Sequence, residues 1–229
     1  MIISKKNNIM FGISVKEDGQ MIIREGNEGF LNRSKYFSNL GISVDQLISA
    51  KIIHGNNVEI VSVSEKGKMI EKTDGLITQD KNVCLAVTAS DCLPIFIYNK
   101  DTIGIVHAGW RGVVNNILGE TIEKMQKYCG CPLESLNIFI GPHIKKCHFE
   151  VKDDVLDGFA DYKELISRRK EKIFIDLEGI IKKQLLLLGL KRKNVKISSE
   201  CTYCNKNYFS FRRDKPVEVT SQIAHIFII

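Results

Sequence analysis

Only four prolines occur in 229 residues, and no proline-rich or serine-rich stretch divides the chain, so no linker separates it into parts. Nothing recurs at a period of about 20 to 50 residues, which excludes solenoids and repeat arrays. No uninterrupted apolar run reaches about 18 residues, so no membrane-spanning helix is expected. Met1 to Phe11 also lacks the basic start and long apolar core of a secretory leader. These absences predict a single globular domain over residues 1–229, soluble and cytoplasmic, long enough to bury a sizeable core.

The net charge is +6 and the isoelectric point near 8.9. The lysines are scattered, however, and 27 acidic residues offset them. The densest basic stretches, Ser167-Arg168-Arg169-Lys170 and Lys191-Arg192-Lys193, lack interleaved aromatics. They read as solvated faces, so the charge suits a small anionic substrate, and neither a nucleic-acid nor a membrane partner is expected. Seven cysteines form an odd set. In a reducing compartment such thiols serve as ligands, nucleophiles or buried residues more readily than as disulfide partners.

Hydropathy patterning predicts short extended segments at Met10–Val15, Met21–Arg24 and Val58–Val63 around a helix from Phe30 to Leu40. Val83–Ala89, Ile95–Tyr98 and Ile103–His107 read as consecutive central strands. From Gly112 to Tyr128 apolar residues recur at helical spacing, predicting one amphipathic helix stopped near Gly130 and Pro132. Leu136–Ile140 and Ile173–Ile175 are expected strands, and Asp153–Ala160 an expected helix. Leu177–Leu188 is a fourth expected helix, ended by Gly189 as its C-cap. Val195–Ser198, Tyr208–Arg212 and Val217–Ile229 look extended. Without regular βαβ alternation the class is α+β, with a largely antiparallel or mixed sheet.

Three turn-like places carry metal-competent side chains: Ile53-His54-Gly55-Asn56, Ser90-Asp91-Cys92-Leu93-Pro94 and Val106-His107-Ala108-Gly109-Trp110-Arg111-Gly112. Two imidazoles and a thiolate suit Zn²⁺, and three protein ligands leave the fourth position that a catalytic ion needs. Spacing alone leaves open the alternative of two hydrogen-bonded histidines and a core thiol. The run from His107 favours a site, since its glycines permit close backbone approach and Arg111 supplies an anion-binding fork near the start of a helix.

Those runs, together with Asn32-Arg33, Thr73-Asp74-Gly75, Ile140-Gly141-Pro142-His143-Ile144, Phe149-Glu150-Val151, Cys201-Thr202-Tyr203 and Phe209-Ser210-Phe211-Arg212-Arg213, give the chain its resemblance to a known family. It resembles the polyphenol oxidase or laccase-domain proteins, also described as purine nucleoside phosphorylases, which include the peptidoglycan editing factor. The resemblance runs from about residue 30 to about residue 214. It implies a sandwich of sheets flanked by helices, and a zinc ion held by His54, Cys92 and His107. Ser90, Phe149 and His143 depart from the residues usual in the family at those places.

The activity implied by the resemblance is phosphorolysis of adenosine, inosine and methylthioadenosine, with deamination of adenosine. Phosphate must then be held while positive charge develops on the ribose, and Arg33, Arg111 and Arg212 are the candidates. Arg212 and Arg213 are equally suited to structural ion pairs. Asp91 is expected to orient a ligand histidine or to act as acid or base. Cys147 is expected to line the active site, and Cys84 to be a strand-core residue. Cys201-Thr202-Tyr203-Cys204 has the spacing of a metal knuckle, with Cys129-Gly130-Cys131 as a conceivable partner pair.

Two other classes compete. A copper-dependent phenol oxidase needs more imidazoles than His54, His107, His143, His148 and His225 provide. The other is a cysteine hydrolase using Cys92 and His107, or a binding protein for peptidoglycan precursors.

Overall fold

A computed structural model describes residues 2–6, 8–24 and 26–229, the first of these segments by its backbone only. Along the chain the strands are β1 (Ile2–Lys6), β2 (Ile9–Ile13), β3 (Leu47–Ala50), β4 (Val58–Ile60), β5 (Met69–Ile70), β6 (Gly75–Thr78), β7 (Cys84–Ala89) and β8 (Leu93–Tyr98). They continue as β9 (Ile103–Ala108), β10 (Asn137–Ile140), β11 (Glu150–Val151), β12 (Ile166–Arg169), β13 (Lys172–Ile175), β14 (Val195–Ile197) and β15 (Gln222–Ile228). The α-helices are α1 (Glu28–Ser38), α2 (Trp110–Val114), α3 (Ile117–Cys129), α4 (Leu177–Leu187) and α5 (Phe211–Asp214).

Two mixed six-stranded sheets, ordered β1-β2-β15-β7-β3-β5 and β14-β10-β8-β9-β6-β4, pack face to face. A small sheet, β11-β13-β12, lies to one side. Period-two alternation sorts each central strand between layers. On β8, Phe96 and Tyr98 enter the core between the sheets, while Leu93, Ile95 and Ile97 face the layer holding α2, α3 and α4. On β15, Ala224, Ile226 and Ile228 point inward and Ile223 packs with Tyr36 and Phe37 of α1 on the opposite outer face. The result is the expected α+β sandwich with flanking helices.

Several local expectations are corrected. Met21–Arg24 joins no sheet; its Met21 N–H donates to the Ser221 carbonyl. The single helix expected over Gly112–Tyr128 is broken into α2 and α3, because Asn116 takes a left-handed conformation at φ 55°, which asparagine tolerates better than most residues. Gly119 accommodates the turned Asn116 side chain, with no room for a Cβ of its own. Asp153–Leu165 is a kinked 3₁₀ run, and Tyr208–Arg212 leads into α5, whose first turn is capped by Ser210 accepting from the Arg213 N–H. The C-terminal strand is confined to β15. Gly189 follows α4 in the left-handed region at φ 86°, as its position after the helix suggested.

The β8–β9 hairpin places the chemistry. Cys92 immediately precedes β8 and His107 lies near the end of β9, where it pairs with Pro94. Both therefore stand at the same end of the second sheet, with the Tyr98–Ile103 turn at the other.

Candidate metal centre

Donor atoms of His54, Cys92 and His107 all lie within 4.8 Å of one another. His107 is buried, Cys92 half-buried and His54 exposed, so the cluster has a protein floor and an open rim. The two imidazoles meet edge to face, with centroids 4.8 Å apart. Gly109 lies against all three: a Cβ there would stand 3.2 Å from His54 Cδ2, 3.5 Å from Cys92 Sγ and 3.5 Å from His107 Cε1. Gly112 lies against the His54 loop, where a Cβ would come within 2.8 Å of the Gly55 carbonyl oxygen. The glycines of the run from His107 are thus explained by close approach.

Asp74 organises this cluster. Its carboxylate is fully buried and accepts from His54 N–H at 2.9 Å, from Gly55 N–H at 2.8 Å and from His107 Nδ1 at 3.0 Å. Its carbonyl also accepts from the His107 N–H at 2.7 Å. Occupation of Nδ1 fixes the His107 tautomer and leaves Nε2 free to coordinate. His54 sits at φ 60°, a conformation of raised energy for a residue with a Cβ, here held by Asp74. Burial opposes charge on both Cys92 and His107, yet their attraction and the Asp74 hydrogen bond prevail: the thiol is held down at about 6 and the imidazole up at about 9. A thiolate beside two imidazoles is a donor set suited to a borderline-soft cation.

The orienting carboxylate is therefore Asp74, not Asp91 as its place beside Cys92 suggests. In the structure Asp91, at φ 78°, accepts from Thr202 Oγ1 at 2.6 Å, Ser210 Oγ at 3.0 Å and the Arg212 N–H at 2.7 Å. It fastens the Cys92 turn to distant loops, while His107 bonds to Asp74. The signal in the sequence was the Thr73-Asp74-Gly75 motif itself; the pairing of β6 with β9 that brings Asp74 to His107 is a tertiary fact.

Next to Gly109, Trp110 enters a cleft of about 480 Å³ that is also lined by Phe149, Lys152, Lys172, Arg212 and Lys215. Arg212 donates to the Glu150 carbonyl and stands 5.7 Å from the centre of the Phe149 ring. Arg111 is exposed, with its guanidinium 4.4 Å from the centre of the Trp110 ring. Its helix is a single turn, which removes the extended helix N-terminus expected there.

Other expectations move. Arg33 is buried under α1, donating to the Met21 carbonyl at 2.7 Å and Ser49 Oγ at 3.1 Å, on the outer face of the first sheet. It is a packing anchor outside the cluster. Arg213 pairs with Asp214 and donates to the carbonyls of Thr202, Tyr203 and Tyr208, so it pins a loop. Cys147 stands with His148, Cys201 and Cys204 in a second group, not in the cleft. Cys129 and Cys131 are joined to each other by a disulfide and line a different cleft, at the Tyr98–Thr102 turn. They cannot complete the Cys201–Cys204 knuckle. Cys84 is buried in the outer core, where desolvation raises its thiol pKa.

Comparisons with known proteins bear on the family and the fold. Residues 25–228 match the family model described as multi-copper polyphenol oxidoreductase laccase. A protein of Bacteroides thetaiotaomicron named purine nucleoside phosphorylase is 34% identical over 161 residues, covering 66% of this chain and 60% of its own length. A protein from an unknown prokaryotic organism named adenosine deaminase RL5 is 27% identical over 190 residues, covering 76% of this chain and 72% of its own. The crystal structure of the Bacillus licheniformis hypothetical protein YfiH superposes with a TM-score of 0.91 at 23% identity, covering 97% of this chain and 94% of that one. Among the described residues, no helix is long and apolar enough to cross a membrane.

Proposed function

Since the chain belongs to the family of multi-copper polyphenol oxidoreductase laccases, we propose that its chemistry is the one named for its relatives, the processing of purine nucleosides. The reaction is phosphorolysis of adenosine, inosine and methylthioadenosine to free base and ribose 1-phosphate, with deamination of adenosine to inosine. One observation carries this reading: an open cluster of three donors is joined through Gly109 to Trp110, which lines a cleft holding Lys152, Arg212 and Lys215 beside a Lys172–Glu150 ion pair.

His54, Cys92 and His107 hold Zn²⁺ in this proposal, and their number leaves a position for substrate or water. When bound, the ion supplies Lewis-acid stabilisation of developing charge. Asp74 keeps His107 in the coordinating tautomer and holds the His54 loop in place. In phosphorolysis the bond from the anomeric carbon to the purine nitrogen breaks and a bond to a phosphate oxygen forms. Arg212, Lys152 and Lys215 supply the charge that draws phosphate into the cleft, Lys172 being paired there with Glu150, and Trp110 offers a flat face to the purine. In deamination, water replaces the exocyclic amine, which leaves as ammonia. The substrate partners are thus a nucleoside and inorganic phosphate.

A multi-copper oxidase is less well supported. Of five histidines, only His54 and His107 share a cluster among the described residues, while His143 and His225 are buried outside any such group. A cysteine hydrolase would use the same Cys92 and His107 pair as nucleophile and base, and metal analysis separates it.

Purified protein given adenosine and phosphate is expected to release adenine, ribose 1-phosphate and inosine. Absence of all three products would sink the nucleoside assignment. Cys92→Ala is expected to lose turnover together with one zinc ion relative to the wild type; a variant that keeps the full wild-type zinc content but loses turnover would favour the nucleophile reading.

A further inference from the structure

Away from the first centre, Cys147 Sγ lies 3.7 Å from Cys201 Sγ and 3.9 Å from Cys204 Sγ, and His148 Nδ1 lies 3.1 Å from Cys147 Sγ and 3.3 Å from Cys204 Sγ. Metal–sulfur bonds of about 2.3 Å and a metal–nitrogen bond of about 2.0–2.1 Å, arranged tetrahedrally, require sulfurs about 3.8 Å apart and sulfur to nitrogen about 3.5 Å. The separations match that figure closely for the sulfurs and within a few tenths of an ångström for the nitrogen. A single imidazole nitrogen beside two sulfurs is also poorly served by hydrogen bonding alone, since it carries at most one proton.

The two segments are brought together by bonds that do not involve three of the four donors. His143 bridges Cys201 along the backbone, the Thr202 N–H donates to the His143 carbonyl at 3.1 Å, and Lys145 Nζ donates to the Ser198 carbonyl at 2.6 Å. Cys201 Sγ receives the Lys145 N–H at 3.5 Å, as thiolate ligands commonly do. The His148 ring is stacked on Tyr203, with centroids 3.9 Å apart and planes 13° from parallel, which holds Nδ1 toward the sulfurs. The pocket is therefore shaped before any ion enters.

We propose that Cys147, His148, Cys201 and Cys204 form a second zinc site, closed by four protein ligands and structural in role. It is distinct from the His54–Cys92–His107 centre and does not rest on the function proposed for that centre. Its position gives it a task. Thr202, inside the knuckle, is bonded to Asp91, which also holds Ser210 and the backbone of Arg212. An ion at this point clamps the loop that carries Arg212 to the cleft.

Metal content tests this directly. The reduced, purified chain loaded with zinc and freed of excess is expected to hold two ions per chain. Cys147→Ser/Cys204→Ser is expected to hold one, and His54→Ala/Cys92→Ala also one. Cobalt(II) in the second of these variants is expected to show the intense thiolate charge-transfer absorption of a tetrahedral site with three sulfurs. Cys204 is exposed, so its reactivity toward a thiol reagent in the wild-type protein should rise several-fold when zinc is removed by a chelator. Saturation of the wild type at one ion, eliminated by His54→Ala/Cys92→Ala, would overturn the proposal. So would a cobalt spectrum of the wild type accounting for one sulfur, or Cys204 reactivity unchanged by chelation. The last two need no variant to fold.

Discussion

Replacing Asp74 by asparagine keeps the size of the side chain and removes its charge. The buried carboxylate accepts three hydrogen bonds, two from the His54 loop and one from His107 Nδ1. An amide in its place presents one oxygen and one NH₂, so at least one of these N–H donors must face a donor. With Nδ1 no longer served by an anion, His107 loses its fixed tautomer and Cys92 loses part of the imidazole that sustains its thiolate. Removal of such a supporting carboxylate typically lowers metal affinity about 10- to 100-fold. Asp74→Asn is therefore expected to weaken zinc in the first centre by that factor, read by competition with a chelator of known affinity. Affinity equal to the wild type would show that Asp74 serves packing alone.

At the scale of elements, Asp91 joins the start of β8 to the 202–212 loop and to α5. Asp91→Ala leaves two hydroxyls and a backbone N–H without their acceptor, and losses of this kind cost about 1–3 kcal/mol for each buried group left unsatisfied. The expected result is a destabilisation of about 3 kcal/mol in urea unfolding, with hydrogen-exchange protection lost first across residues 202–213. Uniform loss of protection would place the effect elsewhere. The segments around Cys92 and His107 were legible in the sequence because β-branched runs, turn residues and soft ligands coincide there. The break between α2 and α3 was not, since Val113, Val114, Ile117 and Leu118 keep a helical apolar rhythm through Asn116 and only its backbone departs. Arg33 illustrates a different limit: its place in a motif suggests a substrate ligand, and its burial against Met21 and Ser49 is a tertiary fact that the motif does not carry. Leu47–Ala50 escaped notice as a strand because a four-residue segment buried on both faces lacks alternation. For the Cys201 knuckle, the CxxC spacing was visible, but its partners Cys147 and His148 reach it through the long-range pairing of His143 with Cys201.

Stability of the whole molecule should carry the signature of one histidine that belongs to neither metal centre. His225 is fully buried on β15 between Tyr36, Phe37 and Phe227, and neither ring nitrogen has a hydrogen-bond partner among the described residues. Burial alone pushes its pKa down to about 3, against about 6.5 in the unfolded chain. Between those values the unfolded state binds a proton that the folded state refuses, so stability falls as pH drops from about 6.5 toward 3, and it is unaffected by this group above that window. The slope is about 1.4 kcal/mol per pH unit, which makes the loss about 2 kcal/mol between pH 7 and pH 5. His225→Leu removes both the titration and two unpaired nitrogens at similar volume, so its stability at pH 7 should lie within about 1.5 kcal/mol of the wild type. Urea unfolding of the two proteins at pH 7 and pH 5 is expected to show the variant losing about 2 kcal/mol less than the wild type on acidification. Equal losses would mean that His225 is protonated in the folded protein at pH 5. The β15 layer would then have to open to water, or supply an acceptor, at a pH where the sandwich remains folded.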